Sequence, residues 1–296
     1  MELICLSKKT VVERSLYGNN NVDFNDALLP KTRKAQFGYI LKNNWLKLFY
    51  VNMIIFIFFI PAILYGFIKT INYNNLIKDM TQQQIFDGLF EMNLVRYLVF
   101  SLLLMLGFVG LSGGSFIIRK LIFDEVVTIK SDFLKGIKYS AKQFMLFGLF
   151  FGLTTFAFDY SIRYLSYLKI NPLFQIMLMV MICIITVVLI ISIMYMMNLS
   201  NLYVMKMGDI IKYGLLLSFK HFFKNIGLAL IAFVPVFIWG VVTHITFMLI
   251  PVLLLFIFGF VYILLLFSLM AMYSFDKFIN PTQYPEYVRK GLSRNE

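Results

Sequence analysis

The stretch NIGLALIAFVPVFIWGVVTHITFMLIPVLLLFIFGFVYILLLFSLMAMYSF, residues 225–275, contains no Lys, Arg, Asp or Glu. As a single helix it would be about 75 Å long at 1.5 Å per residue. That is more than twice the roughly 30 Å of hydrocarbon in a bilayer, so the chain has to turn once and form two membrane helices. Thr243, His244 and Pro251 mark the turn, because they are the polar and helix-starting residues in the run. Four further apolar stretches precede it: 48–68, 97–118, 143–160 and 173–197. The third is short and has to use its ends or a thinned bilayer. With 225–242 and 250–275 the count is six. The whole chain agrees: of 296 residues, 60% are hydrophobic and 14% charged, against about 45–50% and 25% in a soluble domain. The expected fold is an all-α membrane protein with six transmembrane helices arranged as three hairpins.

Charge sets the expected orientation, because Lys and Arg resist translocation and favour the cytoplasmic side. With six crossings, 22 of the 27 Lys and Arg gather on one side: in the N-terminal tail, the connections 119–142 and 206–224, and the C-terminal tail. The other side holds Lys69, Lys78, Arg96, Arg163 and Lys169. Both termini are predicted to be cytoplasmic, with residues 1–44 as an N-terminal tail, 45–275 as the membrane domain and 276–296 as a C-terminal tail. The net charge of +12 then reflects anionic lipid headgroups as the partner, and nucleic acid is not expected.

Each outward-going span follows a basic, aromatic segment: 37–47, 133–144 and 216–225. Apolar residues recur there at helical spacing with lysines between, which predicts short cytoplasmic helices lying in the headgroup plane. Glycines recur four apart on the second and third spans, at Gly110 and Gly114 and at Gly148 and Gly152. With Gly107 and Gly113 they predict close helix packing, because a strip without side chains lets backbones approach. Pro61 and Pro235 lie inside spans and predict kinks.

Chemistry-bearing patterns are sparse. Cys5 and Cys183 form no CxxC, and His221 and His244 are too few for a multi-histidine metal site. No phosphate loop, HExxH, GxSxG or GxGxxG occurs. No catalytic residue, cofactor or metal is therefore expected, and no enzyme. A lipid-modifying enzyme would have only Asp124, Glu125 and His221 to work with. Asp159, Arg163 and Arg96 fall at predicted outer ends, where they can pair or snorkel. No ionisable residue is expected near mid-bilayer. The cytoplasmic connection carries a mixed group that could meet a partner: Arg119, Asp124, Glu125, Asp132, Lys138 and Lys142.

Three groups of residues carry a resemblance. The first is Gly114, Arg119-Lys120, Asp124-Glu125, Asp132-Phe133, Gly136, Lys138 and Lys142-Gln143. The second is Asn52 with Pro61 and Gly66. The third is Asn280-Pro281, Tyr284-Pro285-Glu286 and Arg289-Lys290-Gly291. Together they resemble the YesL-like family of bacterial multi-pass membrane proteins. Two positions depart from the expected pattern: Leu64 replaces a threonine, and Asp124 replaces a glycine. The resemblance implies a bacterial cell-membrane protein associated with carbohydrate uptake and supplies no catalytic residues. The expected role is an accessory or interaction component, with a sugar transporter or a second copy of the chain as partner. The alternatives are a small-solute permease, or the membrane subunit of an ATP-driven transporter with 209–223 as its docking helix.

Overall fold

The computed structural model describes residues 29–78, 80–168, 170–232 and 253–293. Among these residues the structure is helical and contains no strand. Four long helices come first: α1 (Arg33–Ile77), α2 (Gln82–Ile122), α3 (Ile129–Tyr167) and α4 (Pro172–Leu202). Two shorter ones follow, α5 (Met207–Lys220) and α6 (Phe222–Ala232). A π-helical turn, Leu255–Gly259, then leads directly into α7 (Phe260–Phe278), and a short α8 (Asn280–Gln283) begins the tail. Five helices are long and apolar enough to cross a membrane, and α5 with α6 makes a sixth if the bent pair is one span.

Local signals explain where the helices begin. Thr32 accepts a hydrogen bond from the Ala35 N–H at 3.2 Å and starts α1. Thr81 and Gln84 bond each other's backbone reciprocally at the start of α2, satisfying two amides that have no partner inside the helix. Asn171 caps α4, whose first residue is Pro172, where the missing N–H costs nothing.

The helices alternate in direction, and the two described chain ends meet. The Ser293 N–H donates to the Pro30 carbonyl at 3.1 Å. This terminal end of the bundle carries most of the described Lys and Arg, and only Lys69, Lys78, Arg96 and Arg163 lie toward the opposite, distal end. At the distal end α1, α2 and α3 are clasped by aromatic stacking and charge. Phe86 stacks on Tyr164 at 5.5 Å, Arg163 pairs with Asp159 at 2.8 Å, and the same guanidinium lies 5.0 Å over the Tyr73 ring.

Several expectations change. The three basic segments take three different forms. Residues 133–144 are the uninterrupted first half of α3, so the third span is not short: α3 runs 39 residues, because Asp159 is neutralised by Arg163 one turn later and does not end it. The first segment is joined to α1 through a kink at Asn44 (φ −133°, ψ 20°), the non-helical residue within that helix, whereas Pro61 keeps helical dihedrals. The third segment is broken in its middle, where α5 and α6 meet at 95° around His221. Asn225 supports this break by donating to the Leu217 and Ser218 carbonyls at 3.3 and 2.8 Å, while accepting from the Tyr195 hydroxyl at 3.0 Å. Pro235, Thr243, His244 and Pro251 lie outside the described residues, as do Cys5 and most of the N-terminal tail.

Candidate functional site

A cavity of about 490 Å³ opens between α1, α2 and α7, reaching Phe151 on α3 and Met194 on α4. Its wall is hydrocarbon and aromatic: Phe59, Ala62 and Gly66 from α1, Leu104 and Phe108 from α2, Leu264 from α7. Polar side chains enter at one place. Arg96, Tyr97 and Tyr65 line the distal part, and Arg96 is the one charged residue on the described wall. Its guanidinium lies 5.4 Å from the ring centres of both Tyr73 and Tyr97, a geometry that holds a cation in an apolar setting. Among the described residues the wall has neither a nucleophile beside a base nor a ladder of hydroxyls and amides. The arrangement can dissolve hydrocarbon and meet one negative charge.

The π-turn beside this cavity frees backbone groups, and one side chain satisfies them. Asn52 on α1 is fully buried. Its amide nitrogen donates to the carbonyls of Leu255 and Phe256 at 2.9 and 2.6 Å, and its oxygen accepts the Val261 N–H at 3.1 Å. An unsatisfied backbone group in lipid costs several kcal/mol, so one asparagine makes the irregular turn tolerable. Phe260, just after the turn, stacks on Phe59 at 4.4 Å and closes the wall.

The glycines do two different jobs. A Cβ built at Gly148 would lie 2.9 Å from Met105 Cα, and one at Gly152 would lie 2.7 Å from Ser101 Cα. These two face backbone and seat α3 directly on α2, joined at the terminal side by Gly136 against Gly113 Cα at 3.0 Å. On α2 the strip is divided. Gly107 receives Phe59, Gly110 receives Phe58 and Gly114 receives Ile55, all from α1, while Gly113 receives Phe133 from α3.

The predicted contact residues at the terminal end separate into buried and exposed sets. Arg119 donates to the Asn201 carbonyl and lies 4.3 Å over the Phe116 ring. Asp132 is buried and accepts from Lys120 at 2.9 Å and from the Thr128 N–H at 2.8 Å. Arg119 thus ties α2 to α4, and Asp132 holds the α2–α3 connection together. Glu125 pairs with Lys290 of the tail at 3.0 Å. Asp124, partly open to solvent, has its carboxyl raised above the ordinary aspartate range because lost hydration outweighs the pull of Lys47. Lys138 and Lys142 are exposed, one turn apart on α3. The proposed docking helix 209–223 is broken at His221, and its Gly214 packs against Met196 of α4.

The strongest polar constellation at this end carries no motif. Arg33, 7% exposed, donates to Asp276 at 2.7 Å, to Gln36 and to the Lys290 carbonyl. Gln36 donates to the carbonyls of Ile122 and Gly291 at 2.6 and 3.0 Å. Asn280 donates to Asp276 at 2.9 Å and accepts from Tyr203. The Tyr203 hydroxyl is raised well above its ordinary value by burial and by nearby Asp276, so it stays a neutral donor. The network binds α1, α2, α4, α7 and the tail into one surface. Polar residues opening α1 and closing α7 were its available signal, but nothing in their spacing joins positions 243 residues apart. Among the described residues no group of three His, Cys, Asp or Glu could hold a metal ion. The chain matches no family model, no curated protein and no solved structure.

Proposed function

We propose that this chain is an accessory membrane protein that works by contact and not by conduction, with the membrane part of a carbohydrate-uptake complex as its partner. One observation carries the choice between contact and conduction: the cavity wall offers a sugar almost no hydrogen-bonding group. Moving a hydroxyl from water into such surroundings costs roughly 2–7 kcal/mol, and a sugar has several. The terminal face suits contact, because its bonded network is set before any partner arrives, and preorganisation lowers the cost of binding. The positive-inside distribution supports a cytoplasmic placement of this face, and the YesL-like resemblance supports carbohydrate uptake. Exposed Lys138 and Lys142 offer charge to an acidic partner surface, whereas Arg119 and Asp132 are committed within the fold.

The test pairs two measurements on the full chain. Lysine-reactive crosslinking in mild detergent should attach a transport-complex subunit through Lys138 or Lys142. K138E/K142E should cut that yield about tenfold, the loss of roughly 1.4 kcal/mol of contact energy, without changing helix content. Proteoliposomes holding this chain alone should show no sugar flux above empty vesicles. Carbohydrate flux by the chain alone would overturn the reading.

A further inference from the structure

The cavity has a shape and a chemistry that point to one kind of occupant. Helix-bundle interiors are close-packed, and 490 Å³ is far more than a packing defect. Water is a poor filler, since an ordered water needs two to four polar partners and most of this wall has none. The wall on α2 runs from Arg96 to Leu111, about 22 Å of helix axis at 1.5 Å per residue. The hydrocarbon of one leaflet is about 15 Å deep, half of the bilayer core. The void is therefore long enough for one acyl chain laid along the helices, and its single formal charge sits at one extremity.

Gly66 adds an independent observation. Among the described residues, a Cβ built there would come no nearer than 3.8 Å to a side chain, the Phe100 ring edge, whereas the packed glycines of α2 and α3 would clash below 3.0 Å. Its missing side chain is part of the void.

We propose that the cavity binds a single acyl chain ending in an anion, with the chain between Phe59, Leu104 and Leu264 and the anionic head at Arg96 beside Tyr97. The site stands whether or not the terminal face meets a partner.

Full-length protein in nanodiscs would be irradiated with three probes sharing one diazirine-bearing chain: a fatty acid, a phosphatidylglycerol and the long-chain alcohol. Adducts would be mapped by mass spectrometry. The fatty acid, the phosphatidylglycerol or both should label Phe59, Leu104 or Leu264, and the one that does identifies the source of the chain. Arg96→Gln should lower labelling by the anionic probes about tenfold, as loss of one charge-assisted hydrogen bond implies. It should leave the alcohol unchanged, and Arg96→Lys should restore much of the difference. Gly66→Leu fills the void without a clash among the described residues and replaces a helix-weakening residue, so it should fold. It should cut labelling inside the cavity about tenfold while adducts on exposed Leu102 and Val180 persist. Adducts confined to such exposed faces, or cavity labelling indifferent to Gly66→Leu, would overturn the site. Equal labelling by acid and alcohol, untouched by Arg96→Gln, would overturn the anion.

Discussion

At φ +54° Asp124 occupies the left-handed region, where an L-residue with a Cβ gives up about 1 kcal/mol relative to glycine. The reason is the ending of α2. The Glu125 N–H reaches back to the Lys120 carbonyl at 2.9 Å, and the Asp124 N–H reaches the Leu121 carbonyl at 3.2 Å. This is the pair of bonds that closes a helix through a left-handed residue. Asp124→Gly should therefore raise stability by about 1 kcal/mol, read as a higher unfolding midpoint by circular dichroism in mixed micelles. The gain should be larger at neutral than at acid pH. A carboxyl whose folded-state pKa is raised carries no penalty when protonated in both states, and the penalty grows as pH climbs from about 3.9 through the raised value. The glycine expected here from the resemblance thus has a physical ground, although only the backbone angle reveals it. Asn52 is the opposite case. Its polarity was visible, but its partners are main-chain carbonyls some two hundred positions later, exposed by a π-turn that hydropathy cannot register.

Helices pack on each other here through missing side chains. Gly152 faces Ser101 backbone and Gly148 faces Met105 backbone, so neither neighbour can swing aside as a flexible side chain would. Gly152→Leu should cost about 3 kcal/mol, the upper range for overpacking, because α2 and α3 must separate. Gly66→Leu, on the cavity wall, should cost far less. Unfolding of both variants in rising dodecyl sulfate would show the contrast, and equal losses would contradict this division of roles. Glycines four apart were readable as packing residues. Their allocation was not, because α2 spends Gly107, Gly110 and Gly114 on α1 and only the rest on α3, and a strip on one helix does not name its neighbour. The basic, aromatic segments hid their differences for a related reason: Lys and aromatics collect at membrane boundaries whether the helix there continues, kinks at Asn44 or breaks at His221.

Over the whole molecule, the decisive bond joins the beginning of the described chain to its end. Arg33 and Asp276 pair at 2.7 Å with little solvent access on either side. Removing one partner of a buried pair leaves the other charge uncompensated, at about 3–5 kcal/mol. Asp276→Asn should cost that much by chemical unfolding, and Asp276→Asn with Arg33→Gln should recover part of it. An additive double variant would show that the two residues do not act as a pair. The long apolar helices were readable from hydropathy, because it reflects the solvent each segment meets. The knot at the terminal end was not, because it consists of contacts between distant residues. That knot also orders events in time. A nascent chain inserts Arg33 and Gln36 first, and their partners on Asp276 and the tail emerge last. A product that stops short of Asp276 lacks the carboxylate that pairs with Arg33, so the terminal network closes only once nearly all of the chain has been made.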